Sequence, residues 1–189
     1  MKTFFKIIFP LSFFTVLVTS CDPAKKFEAE LNTIDSCVVV LNEIDSLHKG
    51  IKFDSLGLMV SHINTNEEYM QKYYKSDTID QLLADYMNNC KGFRKSFKNL
   101  EATKTEFTEE IAAINLQLAN LKTDILNGVF DKEEIAGYLA AEKEALNNLN
   151  LKFSEFYTTQ KEQTNIYYLA VPFVDNYVKA LNISEDSIQ

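Results

Sequence analysis

From Ile79 onward the apolar positions of the chain step by four and three: Ile79, Leu83, Tyr86, Cys90, Phe93, Phe97, Leu100, Lys104, Phe107, Ile111, Ile114, Leu118, Leu121 and Ile125. That spacing keeps every member on one face of a helix, and sustained over the whole stretch with Lys104 as its one polar member it is the pattern of a coiled-coil strand. A second run repeats it with Ile135, Leu139, Glu142, Leu146, Leu149, Phe153, Phe156, Gln160, Gln163, Tyr167, Ala170, Val174, Tyr177 and Leu181. Between the runs, Asn127-Gly128 reads as a helix stop. Asp131 followed by Glu134 reads as a capping-box start. Folded at this turn, Ile125 faces Ile135, Leu121 faces Leu139, Phe107 faces Phe153, Phe93 faces Tyr167 and Ile79 faces Leu181. The prediction is one antiparallel hairpin, roughly 70 Å long at 1.5 Å per residue.

Two shorter helices precede it. Phe27, Leu31, Ile34, Val38 and Leu41 define an inward stripe over residues 24–49, ended by Gly50. Leu56, Met59, Ile63, Met70 and Tyr73 define another over 55–75, with Asp54 as its cap and a polar middle at Asn64-Thr65-Asn66. Ser76-Asp77-Thr78 offers caps for the helix that follows. Residues 166–181 are apolar almost all round, which calls for burial on more than one side, whereas 142–153 keep polar residues outside the seam. The short helices are therefore expected on the half of the hairpin that holds residues 79–100 and 160–181, helix one starting level with Ile79 and a two-helix tip at Gly128 pointing away. Pro172 should bend the last helix inside the covered half.

The start of the chain has its own pattern: a basic opening with Lys2 and Lys6, an apolar run from Ile7 to Val18 interrupted by Pro10, then Thr19-Ser20-Cys21. The run is shorter than the roughly 20 residues that span a bilayer and has the order of an export signal. Val18-Thr19-Ser20-Cys21 resembles the lipobox of bacterial lipoproteins. The resemblance implies that the Cys21 thiol receives diacylglycerol, that cleavage precedes Cys21, and that its new amine is acylated, which together make a stable anchor. The other reading is a plain signal peptide with an incidental cysteine.

The expected organisation is a signal peptide over 1–20, a lipidated tether over 21–23, one helical domain over 24–182 and a disordered tail over 183–189. The expected location is the bacterial cell envelope, membrane-anchored and either periplasmic or surface-exposed. The expected fold is all-α: a long antiparallel two-helix coiled-coil hairpin with two shorter N-terminal helices packed on its membrane-proximal half, a partial four-helix bundle.

Loss of Lys2 and Lys6 with the leader takes the formal net charge from −8 to −10. So acidic a chain without a basic cluster is poorly suited to nucleic acid. Five Gly, three Pro and no Trp agree with helices rather than a sheet.

Candidate chemistry is sparse. His48 and His62 are the two histidines, and neither the Glu-x-x-His of a di-iron bundle nor a C-x-x-C-H haem site occurs. Met59 and His62 are three apart and could be drawn as a haem ligand pair; lining a helix is the plainer reading, and no metal or cofactor is expected beyond the lipid on Cys21. Cys37 falls near the height of Cys90 in the expected arrangement, so the two are either a disulfide or two buried thiols, and the diagonal placement of their helices favours thiols. Lys104, Glu142, Gln160 and Gln163 interrupt the seam as ligand-binding groups or, more in keeping with coiled coils, as register-fixing ones. Lys104 should lay its stem on Phe156. No Ser-His-Asp order, phosphate loop or nucleophile elbow is present, and an enzyme is not expected.

Asp35-Ser36-Cys37, Asp45-Ser46-Leu47, Asp54-Ser55-Leu56, Asp77-Thr78-Ile79 and Asp186-Ser187-Ile188 resemble the Asp-Ser/Thr-aliphatic sequon of the general O-glycosylation system in Bacteroidota, which implies Thr78 and Ser187 as candidate sites. Helix capping explains some of these tripeptides without a sugar.

A long seam enclosing little volume suits protein binding or self-association. The candidate contacts are Asn127, Val129, Phe130 and Tyr138 at the tip, against a hydrophobic staple of Phe130 on Ile135. Two other functions fit the pattern: an envelope chaperone or assembly factor with an apolar groove, and a small-ligand carrier in a base lined by Tyr86, Tyr167, Tyr168 and Tyr177.

Overall fold

The computed structural model describes residues 23–78 and 80–186. Helices α1 (Pro23–Lys26), α2 (Glu28–Gly50), α3 (Phe53–Tyr73), α4 (Gln81–Ser96), α5 (Leu100–Leu126) and α6 (Lys132–Asp186) follow one another, with no strand among the described residues. The fold is an all-α bundle, the class that the periodicity predicts.

The long hairpin is present in the predicted register. Ile125 and Ile135 are both fully buried beside the turn. The ring centroids of Phe107 and Phe153 lie 5.4 Å apart and those of Phe93 and Tyr167 5.3 Å apart. The pairing of Ile79 with Leu181 lies outside the described residues. Gly128 adopts φ +67°, its N–H donates to the Ile125 carbonyl at 3.1 Å, and the Val129 N–H donates to that of Asp124 at 3.0 Å. This is a Schellman ending, and it needs the left-handed conformation that glycine adopts without strain. The Asp131 Oδ1 accepts from the N–H groups of Glu133 and Glu134, and Glu134 reaches back to the Asp131 N–H at 3.0 Å, completing the capping box.

Two boundaries differ from the sequence pattern. The single helix expected over 79–126 is broken at residues 97–99, where Phe97 has φ −116° and ψ 22°. Phe97 and Leu100 flank the break and are both buried, 3% and 7% exposed, so the seam continues across it. The cap of α4 is Asp80, which accepts from the Leu83 N–H at 3.0 Å, rather than Ser76, Asp77 or Thr78. At the other end α6 continues to Asp186, so residues 183–186 are helix and not the disordered tail expected there. Pro172 falls within α6, where its missing N–H leaves the Tyr168 carbonyl without a helical partner.

The largest correction concerns the two short helices. They do not form an antiparallel pair on one half of the hairpin: α2 packs on α5 and α6, α3 on α4, α5 and α6, and α2 and α3 make no packing contact with each other. They lie end to end as a third strand along the whole hairpin. Asp35 of α2 meets Lys122 of α5 at 2.5 Å, while Asn66 of α3 meets Asp175 of α6 at 2.6 Å. The cause is the link at Ile51 and Lys52. Ile51 is 9% and Phe53 5% exposed, so the connection is itself core and carries the chain onward, whereas a reversal would need a polar, solvated turn. Asp54 accordingly lies in the first turn of α3 and does not cap it. α2, with 23 residues, covers most of the 27-residue α5.

Both interrupted strands break at one level, and aromatic rings fill it. Phe53 stacks on Phe156 at 5.9 Å with an interplanar angle of 9°. Phe97 and Phe107 meet the same ring edge-on or tilted at 6.3 and 5.6 Å. This waist joins the two halves of the bundle, and such ring pairs add to the area they bury.

Candidate functional site

The structure disperses most of the residues singled out from sequence. Cys21 and Ser187 lie outside the described residues. Cys37 and Cys90 are buried free thiols, not a disulfide, because the third strand runs opposite to expectation at their positions: Cys37 lies within reach of Glu142 and Lys143, whereas Cys90 feels Glu67 and Asp175. Burial raises both thiols, Cys90 to about 11, with the Glu67 and Asp175 carboxylates adding to the effect.

The four tyrosines proposed to line a pocket fall into two pairs: Tyr86 and Tyr177 both pack on Phe173, at 4.4 and 5.3 Å, with Tyr177 donating to the Asp80 carboxylate, while Tyr167 meets Tyr168 edge-on at 5.5 Å and Tyr168 stands 62% exposed. Met59 and His62 are not a ligand pair either. The His62 Nδ1 lies 2.8 Å from the Tyr167 hydroxyl and its Nε2 3.1 Å from Asp175, and Met59 faces a different cleft.

Thr78 is exposed in the α3–α4 connection, its carbonyl accepting from the Ser76 hydroxyl at 2.8 Å. At the turn, Asn127 and Val129 are exposed, and Phe130 is half-buried with its ring on Tyr138 at 4.8 Å. Lys104 lies over the ring of Phe53 at 5.7 Å, rather than on Phe156, and 3.9 Å from Asp54. Glu142 and Gln163 each hold one buried oxygen without a protein partner, and burial raises the Glu142 carboxyl. Gln160 donates to Thr164 at 3.2 Å.

Gln160 and Tyr168, both singled out from sequence, line a groove at the waist between the short helices and the hairpin. Where α2 hands over to α3, a cleft of about 410 Å³ opens between Leu47, Ile51 and Met59 on one side and Tyr157, Gln160, Thr164 and Tyr168 of α6 on the other. Two adjoining concavities share Leu47 with it and extend it along α2 past Val39 and Val40. Leu47 is 44% exposed and Val39 57%, off the inward stripe of their helix. The available signal was Val39-Val40 beside that stripe and an apolar Ile51 in the short stretch between two helices. A larger concavity of about 740 Å³ is an open acidic shelf on α5, where Lys152 bridges Glu106 and Glu110 at 3.4 Å.

Polar side chains gather instead below the waist. Asp175 accepts from Asn66 and sits beside His62, and buried Glu67 pairs with Arg94 at 3.1 Å. Each group has its partner within the cluster, so the arrangement serves to satisfy buried polarity. Among the described residues no group of three or more His, Cys, Asp or Glu is placed to hold a metal ion.

His48 closes the waist from the α2 side. It is 8% exposed, its Nε2 has no protein partner, and Phe53, Phe107 and Phe153 surround its ring with centroids at 5.4, 6.1 and 6.4 Å. Burial lowers its pKa, against opposing pulls from Asp45 of its own helix and from a hydrogen bond with the Lys104 backbone of α5; the Lys104 and Lys49 charges add smaller lowering contributions. An unfolded histidine titrates near 6.5. Below that pH the unfolded chain therefore binds a proton that the folded one resists, and stability is lost as pH falls from about 6.5 through the lower folded value. The variant His48→Phe should show a shallower loss than wild type in denaturant titrations between pH 7 and 5; parallel curves would remove His48 as the cause.

No family model matches this chain, and no curated protein or solved structure matches it.

Proposed function

We propose that the chain is a lipid-anchored, non-catalytic cell-envelope protein that binds an apolar segment of a partner protein in the waist groove. The observation that carries this reading is the groove itself: Leu47 and Tyr168 stand 44% and 62% exposed on its two sides, and Val39, 57% exposed, lines the concavity that continues it along α2. Its aliphatic and aromatic walls with a few hydroxyl and amide groups suit a peptide segment presenting alternate apolar side chains. The ionisable cluster below the waist pairs internally, His62 and Asn66 with Asp175 and Arg94 with Glu67, which suits a structural role. No described helix is long and apolar enough to cross a membrane; in this reading the lipid on Cys21 makes the attachment.

The anchor is tested by intact mass and fractionation. Wild type should lose residues 1–20, gain acyl mass and sediment with membranes, and Cys21→Ala should do none of these. An unmodified Cys21 in wild type would overturn the anchor. The groove is tested in cells by a photoreactive side chain at position 47, which should give a discrete protein adduct. The same reagent at position 116, where Leu116 is 61% exposed on α5, should give none. Equal labelling from both positions would mean that apolar exposure alone, and not the groove, captures protein.

A further inference from the structure

The first described residue and the hairpin turn share one end of the bundle. Asp35 is level with Lys122. Phe27 is about 12 Å of helix before Asp35, and the end of α5 at Leu126 is about 6 Å beyond Lys122, at 1.5 Å per residue. Phe27 therefore reaches the height of the turn. α1, which packs on α5, carries Pro23 to the rim. Cys21 precedes Pro23 by two residues, about 7 Å of fully extended chain. This reverses the orientation expected from sequence, in which the turn pointed away from the anchor.

Around that rim stand Leu126, 44% exposed, Val129, 59%, and Tyr138, 48%, with Phe130 under the tyrosine ring. Neither the hairpin seam nor the third strand covers them. Charge at this end is mildly acidic: Lys25, Lys26 and Lys132 stand against Glu28, Asp124, Asp131, Glu133 and Glu134, and Asp131 and Glu134 are engaged in capping α6. Attraction to anionic lipid is thus weak here, and apolar contact held by a short tether outweighs it.

We propose that the turn end of the bundle rests on the bilayer, with Leu126, Val129 and Tyr138 at the boundary between headgroups and acyl chains and the rod standing outward. A tyrosine at headgroup level with aliphatic neighbours is the arrangement that interfaces favour. The inference rests on the reading of Cys21 as the lipidated residue, because that places the anchor within a few residues of the patch. It assigns the exposed tip to lipid in place of a protein partner. It also sets the α3–α4 connection at the far end: Tyr177, bonded to Asp80, lies 45 residues along α6 from Lys132, about 65–70 Å.

The chain contains no tryptophan, so one introduced indole reports alone. Val129→Trp and Leu82→Trp, the latter at an exposed site near the start of α4, would be purified as lipidated full-length protein and reconstituted into vesicles of phosphatidylcholine and phosphatidylethanolamine with brominated chains. Val129→Trp should shift to the blue and lose about half of its emission, as a side chain at the acyl boundary does, while Leu82→Trp keeps its emission. If both quench, the rod lies flat and the standing orientation is wrong. If neither quenches while the acylated protein sediments with the vesicles, the tip is free and the proposal fails with the anchor intact. A protein without acyl mass that stays in the supernatant would remove the Cys21 reading and this inference with it.

Discussion

Replacing Phe153 with alanine should lower the stability of the bundle by about 3–5 kcal/mol, the range for deleting a buried aromatic side chain. Phe153 is 2% exposed and sits where all three strands meet. Its ring is perpendicular to Phe107 at 5.4 Å, stacked on Tyr157 at 5.8 Å and edge-on to His48 at 6.4 Å. Removal deletes contacts to α2, α5 and α6 together, and the waist cannot collapse onto the gap without moving two helix breaks. For a domain of this size the midpoint of thermal unfolding should fall on the order of 10 °C. Leu151→Ala, two residues away and 69% exposed, should stay within about 0.5 kcal/mol of wild type. A loss below about 1 kcal/mol for Phe153→Ala would show that the waist does not hold the strands together.

The second large effect is expected at Glu67 and Arg94. The Glu67 side chain is 11% exposed and its carboxylate takes one guanidinium contact at 3.1 Å from Arg94, itself 41% exposed. Arg94→Met leaves a nearly buried carboxylate without its cation, which should destabilise by about 1–3 kcal/mol, less than for a fully buried pair because water reaches the arginine side. Glu67→Leu combined with Arg94→Met should recover most of that loss, since the pair's attraction largely offsets the desolvation of its members. A double-mutant cycle by denaturant unfolding measures both. Additive losses would mean that the two side chains are not coupled.

The two effects differ in what a sequence could reveal of them. Phe153 belongs to a seam whose period is fixed within one helix, and its pairing with Phe107 follows once the turn at Gly128 is recognised. Glu67 looks like any polar position on a helix surface. Only the arrival of α4 and α6 against that side of α3 buries it, and no local pattern announces the arrival. The same holds for His48, which lies near a loop in the sequence and within a ring of phenylalanines in the fold. The position of the waist groove was not legible for a related reason: its walls come from α2, α3 and α6, brought together at the link between α2 and α3.

The sequence alone determined the all-α class, the long hairpin, its register and its turn, because four-and-three periodicity, a left-handed glycine and a capping box act over a few residues. It also pointed to Cys21 through a resemblance confined to the first residues. The tertiary structure decided the direction of the third strand. Ile51 and Phe53 gain more by entering the core than by forming a turn, so α2 and α3 lie end to end and both Cys37 and Pro23 move towards the opposite end from that expected. Strand direction depends on burial at a link shorter than any periodic signal, and it sets which end of the bundle Pro23 occupies.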